Sequence, residues 1–290
     1  MAKLVKEKSE KGRLHIDTPM MGESLVSKEF LRQTESRDYF RMHPDINVLK
    51  IGGQSIMDRG GEALHPILEV LRQAKEEYKI LLMTGGGTRA RHVYNIGVDL
   101  GMPTGVLSKL GDKVAWQNAE MLSVLLSKHG GIKIDNGDNL EQLTMFCRLG
   151  YLPITYGIPP YGLFEHPAEY GSIPPHRTDC GAFLLAENIG ARRLIYLKDE
   201  QWLYESDPKK APEEDRNNIK HYDRISAREL QALDLDDLII ERPIVHMLQR
   251  AKCISELQII DALNRPEHIL SALQGDHVGT IIYKDQEEAE

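Results

Sequence analysis

Four stretches of this chain place lysine, glycine, aspartate and arginine where a strongly charged anion can be held. The first is KIGGQS, residues 50–55. Lys50 stands one residue before the end of an apolar run, NVLKI (47–51), and Gly52 and Gly53 follow it. Paired glycines let the backbone turn tightly and present N–H groups to an anion, and a strand-end lysine beside them suits a polyphosphate. A plain strand-to-helix turn explains the string about as well. It is not a Walker A loop, which needs GxxxxGK[ST]. The second stretch is TGGGTRAR (84–91). Gly85, Gly86 and Gly87 in succession are costly in conformational entropy, which makes sense where backbone must approach a ligand. Thr88 opens the next helix, whose N-terminus favours an anion, and Arg89 and Arg91 follow at once. The third is HRTDCGAFLLAENIG (176–190), where Thr178 or Asp179 is expected to cap a helix. It gains weight from KDEQWLYESDP (198–208), with Lys198 at a strand end, Tyr204, and a turn at Asp207-Pro208. The fourth, LQGDHVGTII (273–282), is a glycine turn into a last strand.

The surrounding pattern predicts what positions these residues. NVLKI (47–51), KILLM (79–83), LPITY (152–156), RRLIYLK (192–198), ELQIID (256–261) and VGTIIY (278–283) read as buried strands. Helices are expected over 61–78, 89–100, 112–130, 141–149, roughly 180–190, 226–233 and 243–255, with another from Pro266. Strands alternating with helices predict an α/β fold, a three-layer sandwich around a mainly parallel sheet. Ligands of such sheets lie beyond the carboxyl ends of the strands, where two of the glycine loops fall. Residues 1–44 read as an N-terminal extension, with Phe30, Leu31, Tyr39 and Phe40 as possible anchors, 45–285 as one domain, and 286–290 as a tail. GIPPYGLFEHPAEYGSIPPHR (157–177) is a loop stiffened by prolines, and its His166 and His176 can bond oxoanions or simply serve a lid.

With 36 Lys and Arg against 44 Asp and Glu, the formal charge of −8 gives no general attraction to nucleic acid or anionic membrane, so any anion site is local. Cys147, Cys180 and Cys253 make neither a disulfide framework nor a zinc signature, and a reducing cytoplasm fits them. No apolar run reaches the ~20 residues that span a bilayer, and the N-terminus lacks the apolar core of a signal peptide. A cytoplasmic location is expected. There is no GxSxG elbow and no HExxH.

KxGG at the first strand, TGGG at the second, TD at a helix start, K…LYxxDP, and GxxxGTxI near the end resemble the amino-acid-kinase superfamily in order and spacing, nearest its uridylate-kinase branch. KIGGQSIMDRG, TRARHVY, GMPTGVLSKLG, WQNAEMLSVLLSKHG, IPPY…IPPHRTDCGAFLLAE and LQGDHVGTII look like the molybdenum storage protein family, nearer its α-type than its β-type subunit. That resemblance implies a cage-like hexamer, of this chain alone or with a related chain, which uses ATP and magnesium to accumulate molybdate or tungstate as polyoxometalate clusters. It implies that Lys50, Gly52, Gly53 and Gly85 to Gly87 hold ATP phosphates, with Asp179, Lys198, Tyr204 and Asp207 around the nucleotide. Lys50 and Lys198 would supply the charge that assists phosphoryl transfer. Arg89, Arg91, Gln117, Glu165, His166 and His176 would stand on the molybdate side.

Two departures from the family patterns matter. The kinase pattern KxxDG becomes Lys198-Asp199-Glu200-Gln201-Trp202, with tryptophan in place of glycine beside the expected nucleotide pocket. The histidine run that follows PPY in the β-type chain is absent, since Tyr161 is followed by Gly162, Leu163, Phe164, Glu165 and His166. A small-molecule kinase of the uridylate type, and a nucleotide-binding regulator without kinase activity, are the alternative readings.

Overall fold

The computed structural model describes residues 39–135, 142–167, 173–212 and 216–285. Most of the expected extension, with Phe30 and Leu31, and the tail 286–290 lie outside the described residues. Tyr39 and Phe40 are exposed. His43 is tied to the domain, its N–H donating to the Ile189 carbonyl at 2.8 Å.

Among the described residues the strands are β1 (Ile46–Ile51), β2 (Lys79–Thr84), β3 (Gly131–Lys133), β4 (Leu152–Tyr156), β5 (Arg193–Lys198), β6 (Leu203–Tyr204), β7 (His221–Tyr222), β8 (Arg224–Ser226), β9 (Glu256–Asp261) and β10 (Thr280–Tyr283). Eight make one sheet in the order β3-β4-β2-β1-β5-β9-β10-β8, and β6 and β7 make a separate antiparallel ribbon. All pairs in the large sheet are parallel except β9 with β10. The sheet is therefore mainly parallel, as expected. The helices are α1 (Gly61–Ala74), α2 (Gly87–Asp99), α3 (Thr104–Leu125), α4 (Leu143–Arg148), α5 (Thr178–Ile189), α6 (Ala227–Leu233), α7 (Pro243–Arg250) and α8 (His268–Gln274).

Every residue of β1 is buried, because both faces of the sheet are covered. One face packs Ile46, Val48 and Tyr196 against Phe183 and Ala186 of α5, Leu230 of α6 and Ile244 of α7. The other packs Leu49, Ile51 and Ile195 against Ile67 and Leu71 of α1, Leu122 of α3 and Ile269 of α8. These are the three layers that the alternation of strands and helices predicts. Among the described residues no helix is long and apolar enough to cross a membrane.

The expected helix over 112–130 begins earlier, at Thr104, and ends at Leu125, and the short strand β3 was not anticipated. Gly105 and Gly111 interrupt the apolar period in sequence. Gly111 is tolerated because the Tyr94 ring of α2 packs where a side chain would stand. The helix expected to reach residue 255 stops at Arg250. The N–H groups of Lys252, Cys253 and Ile254 instead donate to the Glu187 carboxylate, at 2.6–3.0 Å, which fixes an extended exit into β9.

Candidate functional site

Side-chain alternation along β1 and β5 decides where the two lysines go. Lys50 is in phase with Ile46 and Val48, and Lys198 with Leu194 and Tyr196, so both emerge on the α5 side of adjacent parallel strands. The first turn of α5 places Asp179 between them. Asp179 Oδ2 accepts from Lys198 Nζ at 2.9 Å, and Oδ1 pairs with Lys50 Nζ. The three residues are only 3%, 8% and 5% exposed for Lys50, Lys198 and Asp179. Burial pushes the Asp179 carboxyl up, but Lys198 and Lys50 outweigh it and hold it well below the usual carboxylate range. Burial lowers the Lys50 ammonium, against the pull of Asp179. Two ammonium groups and one carboxylate leave a formal positive excess at the strand ends, which is what a polyphosphate needs.

The glycine loops complete this floor. A Cβ on Gly53 would collide with the backbone of Gly87, so the loops after β1 and β2 touch main chain to main chain. A Cβ on Gly85 would stand 2.8 Å from Lys50 Nζ. These glycines keep backbone amides and the lysine head together, in a way that any side chain would prevent.

The sequence leads one to expect an anion at the α2 N-terminus. The protein supplies that anion itself, because the Asp58 carboxylate accepts the Thr88 N–H. The α5 N-terminus is filled likewise. Neither Thr178 nor Asp179 caps it, contrary to expectation, since Arg177 is the N-cap and Asp179 is turned toward the lysines. Glu241, just before α7, accepts from the N–H groups of Arg177 at 2.8 Å, Asp179 at 3.0 Å and Cys180 at 2.9 Å. Glu241→Ala leaves those donors buried without a partner, and is expected to lower unfolding free energy by about 1–3 kcal/mol. Urea denaturation that finds the variant as stable as the parent would show that the cap is dispensable.

Lys50, Gly52, Gly53, Gly85, Gly86, Gly87, Asp179, Lys198, Tyr204 and Asp207 all line one cleft of about 610 Å³, and Arg91 joins them. The cleft also contains groups that the motifs did not single out. Asp199 Oδ2 accepts from Arg59 at 2.6 Å and from Lys209 at 2.8 Å, a bridge between the loop after β1 and the turn after β6. Arg177, Tyr94 and Glu241 line the inner wall, where burial pushes the Tyr94 hydroxyl up to about 12. Only contacts across the fold reveal these residues. Arg59, Tyr94, Arg177 and Asp199 fall inside quoted motifs without being picked out by them, and Lys209 and Glu241 fall in none.

The remaining candidates fall into two other places. Arg89 of α2 donates to Gln117 at 3.2 Å and to Asn118, and Asn118 donates to the Gly85 carbonyl. Arg89 and Gln117 are thus together on α2 and α3, behind the glycine loop rather than lining the cleft. Glu165, His166 and His176 gather in the proline-rich loop. Glu165 is 6% exposed, and its Oε1 accepts the His166 N–H at 2.9 Å and lies 3.0 Å from His176 Nδ1. The Tyr161 ring meets both imidazoles edge-on, at 5.7 and 4.7 Å. His176 also lines a smaller cavity with His246 and Arg250.

A family model described as the amino acid kinase family matches residues 45–253. Molybdenum storage protein subunit beta of Azotobacter vinelandii is 42% identical over 263 residues, which span 91% of this chain and 95% of that one. The chain belongs to the amino acid kinase family and, within it, to the molybdenum storage protein subunits. The storage-protein relative is a β-type chain, while the α-type likeness rests on the motifs quoted above. Uridylate kinase of Methanocaldococcus jannaschii is 26% identical over 246 residues, covering 81% of this chain and 98% of that one. Among solved structures, uridylate kinase from Archaeoglobus fulgidus superimposes with a TM-score of 0.60 at 22% identity, over 81% of this chain and 99% of that one. UMP kinase from Bacillus anthracis gives 0.62 at 15% identity, over 83% and 97%. At those identities the structures share the fold of this kinase-family chain.

Proposed function

We propose that this chain binds ATP in the cleft and serves ATP-dependent storage of molybdate or tungstate as polyoxometalate clusters. The observation that carries the nucleotide part is the buried Lys50–Asp179–Lys198 triad beneath two glycine loops in main-chain contact. Lys50 and Lys198 neutralise phosphate charge, glycine-loop amides orient it, and Asp179 holds the lysines in place. A magnesium ion travelling with the nucleotide takes most of its ligands from phosphate and water and needs one or two carboxylates. Asp207 lines the same cleft and suits that task, whereas the Asp199 carboxylate is already paired with Arg59 and Lys209. When bound, magnesium neutralises the charge of the transferring phosphate.

The storage part draws on the likeness to a protein named for molybdenum storage. That relative is called a subunit, which supports an oligomer with a related chain, most simply a closed hexamer in the cytoplasm. Met121, Val124 and Leu125 lie exposed on α3, an apolar face that a neighbouring subunit would cover. Arg89, Gln117, His166 and His176 are the donors offered to oxoanions outside the ATP cleft. A monomer in sedimentation at micromolar concentration, with ATP and molybdate present, would rule out the cage.

The uridylate-kinase likeness gives the second reading, transfer of phosphate to a nucleoside monophosphate. Arg91 and Arg177 on the inner wall would hold the acceptor. Incubation with ATP and UMP separates the two, since diphosphate product identifies the kinase and tightly bound molybdenum identifies storage. In either reading Lys50→Ala removes a charge-assisted bond to phosphate, and is expected to weaken ATP binding by about 1.5–3 kcal/mol. Titration calorimetry with unchanged affinity would take Lys50 out of the site.

A further inference from the structure

We infer that Trp202 is a stacking platform for the base of the bound nucleotide, an assignment that rests on the polyphosphate reading of the cleft. The cleft lining is of two chemical kinds. Lys50, Lys198 and the glycine loops supply charge and backbone amides, and Trp202, with Leu203, Leu238, Ile239 and Ile240, supplies aromatic and aliphatic surface. A ligand that satisfies both is a polyanion with a flat aromatic group attached, which is the composition of a nucleoside polyphosphate. Trp202 follows Lys198 by only four residues, so the chain separates them by at most about 14 Å. That upper limit keeps both within reach of one nucleoside triphosphate.

The indole is not free to wander. One of its faces stacks on His221, with ring centroids 5.1 Å apart and planes 26° apart. Tyr204 meets the same imidazole edge-on at 6.2 Å. Tyr204 and His221 are cross-strand partners in the β6–β7 ribbon, so hairpin register fixes the imidazole and the imidazole backs the indole. A base stacking on a ring already braced from behind loses little side-chain entropy in the platform. Every base has a π-face, so stacking adds affinity with little discrimination between purines. The expected property is a nucleotide site that takes adenine and guanine alike.

Calorimetry and tryptophan fluorescence test this on the full chain. Trp116 is the only other tryptophan, and its indole lies outside the cleft, bonded to Asp135 at 3.0 Å. Mg-ATP and Mg-GTP are expected to quench emission, inorganic tripolyphosphate is not, and the quench disappears in Trp202→Phe. Stacking of about 1–3 kcal/mol per base corresponds to roughly a five- to 150-fold loss of affinity for both nucleotides in Trp202→Gly. Tripolyphosphate affinity stays at the parent value in that variant, and Trp202→Phe restores most nucleotide affinity. Parent-like ATP affinity in Trp202→Gly would overturn the platform while leaving the polyphosphate site standing. Loss of tripolyphosphate binding together with nucleotide binding would make Trp202 a support of the fold and overturn it too. If the parent protein binds neither ATP nor tripolyphosphate, the polyphosphate reading and the platform fall together.

Discussion

Asp179→Ala lowers the free energy of unfolding by about 3–5 kcal/mol, the scale for removing one partner from a buried ionic cluster. The reason is geometric. Lys50 and Lys198 approach the same carboxylate from adjacent strands, and all three groups are almost wholly enclosed. Without Asp179 two like charges face each other with no carboxylate at ion-pair distance among the described residues, and Glu241 acts on Lys50 only from farther away. The linked pH behaviour follows from the sign of the Asp179 shift. Its folded carboxyl titrates below the ordinary value of 3.8, so its stabilisation is fully present above that value and fades as pH falls through the folded one. The parent should lose stability in strong acid more steeply than the variant. Guanidinium denaturation at neutral and acid pH measures both. A companion variant with Lys50→Met, Asp179→Leu and Lys198→Met separates fold from function, because apolar groups of similar volume commonly replace buried ion clusters at little cost. It is expected to recover much of the lost stability and bind no ATP. Parent-like stability in Asp179→Ala would show that the lysines find other counter-charges, and the triad would lose its structural role.

Incubation with molybdate, ATP and magnesium is expected to load more molybdenum per chain than a simple ligand site holds, and to fail when ATP is omitted. The net charge of −8 disfavours nonspecific adsorption of an oxoanion, so heavy loading requires an enclosed, locally positive space. The site geometry sharpens which variants report on it. Arg91 lines the cleft proposed for ATP, whereas Arg89 does not, so Arg89→Ala and His166→Ala/His176→Ala should reduce loading with ATP affinity retained. Elemental analysis of the purified protein, paired with calorimetry for ATP, reads both quantities. Loading at or below one molybdenum per chain, independent of ATP, would overturn storage and move the kinase reading forward.

Much of the lysine and glycine lining of the cleft was legible because strand and loop signals are local. An apolar run followed by glycines marks a strand end, and a lysine there stands where sheet ligands gather. The β1, β2 and β5 strands fall within a residue or so of their expected bounds for that reason. Helix limits were less legible where glycine serves packing, as in α3, or where a distant side chain captures the exit, as Glu187 does after α7. The capping expectation at Thr178 or Asp179 failed for a related reason. A residue type suited to a cap is equally suited to an ion pair, and the better partner for Asp179 lies on neighbouring strands.

By itself the sequence determined the alternating strands and helices, the two glycine loops, and a lysine at or beside the end of each of two strands. These follow from hydrophobic period and backbone freedom, which depend on near neighbours in the chain. Tertiary structure alone decided that Asp179 joins both lysines, that Asp58 and Glu241 fill the helix N-termini open to anions, and that Asp199 links Arg59 to Lys209. It also decided that Arg91 faces the cleft while Arg89 turns to Gln117 and Asn118. Those outcomes depend on which charged groups meet across β1, β5 and the surrounding loops. Burial makes such meetings strong enough to override local preference, and no spacing along the chain encodes them.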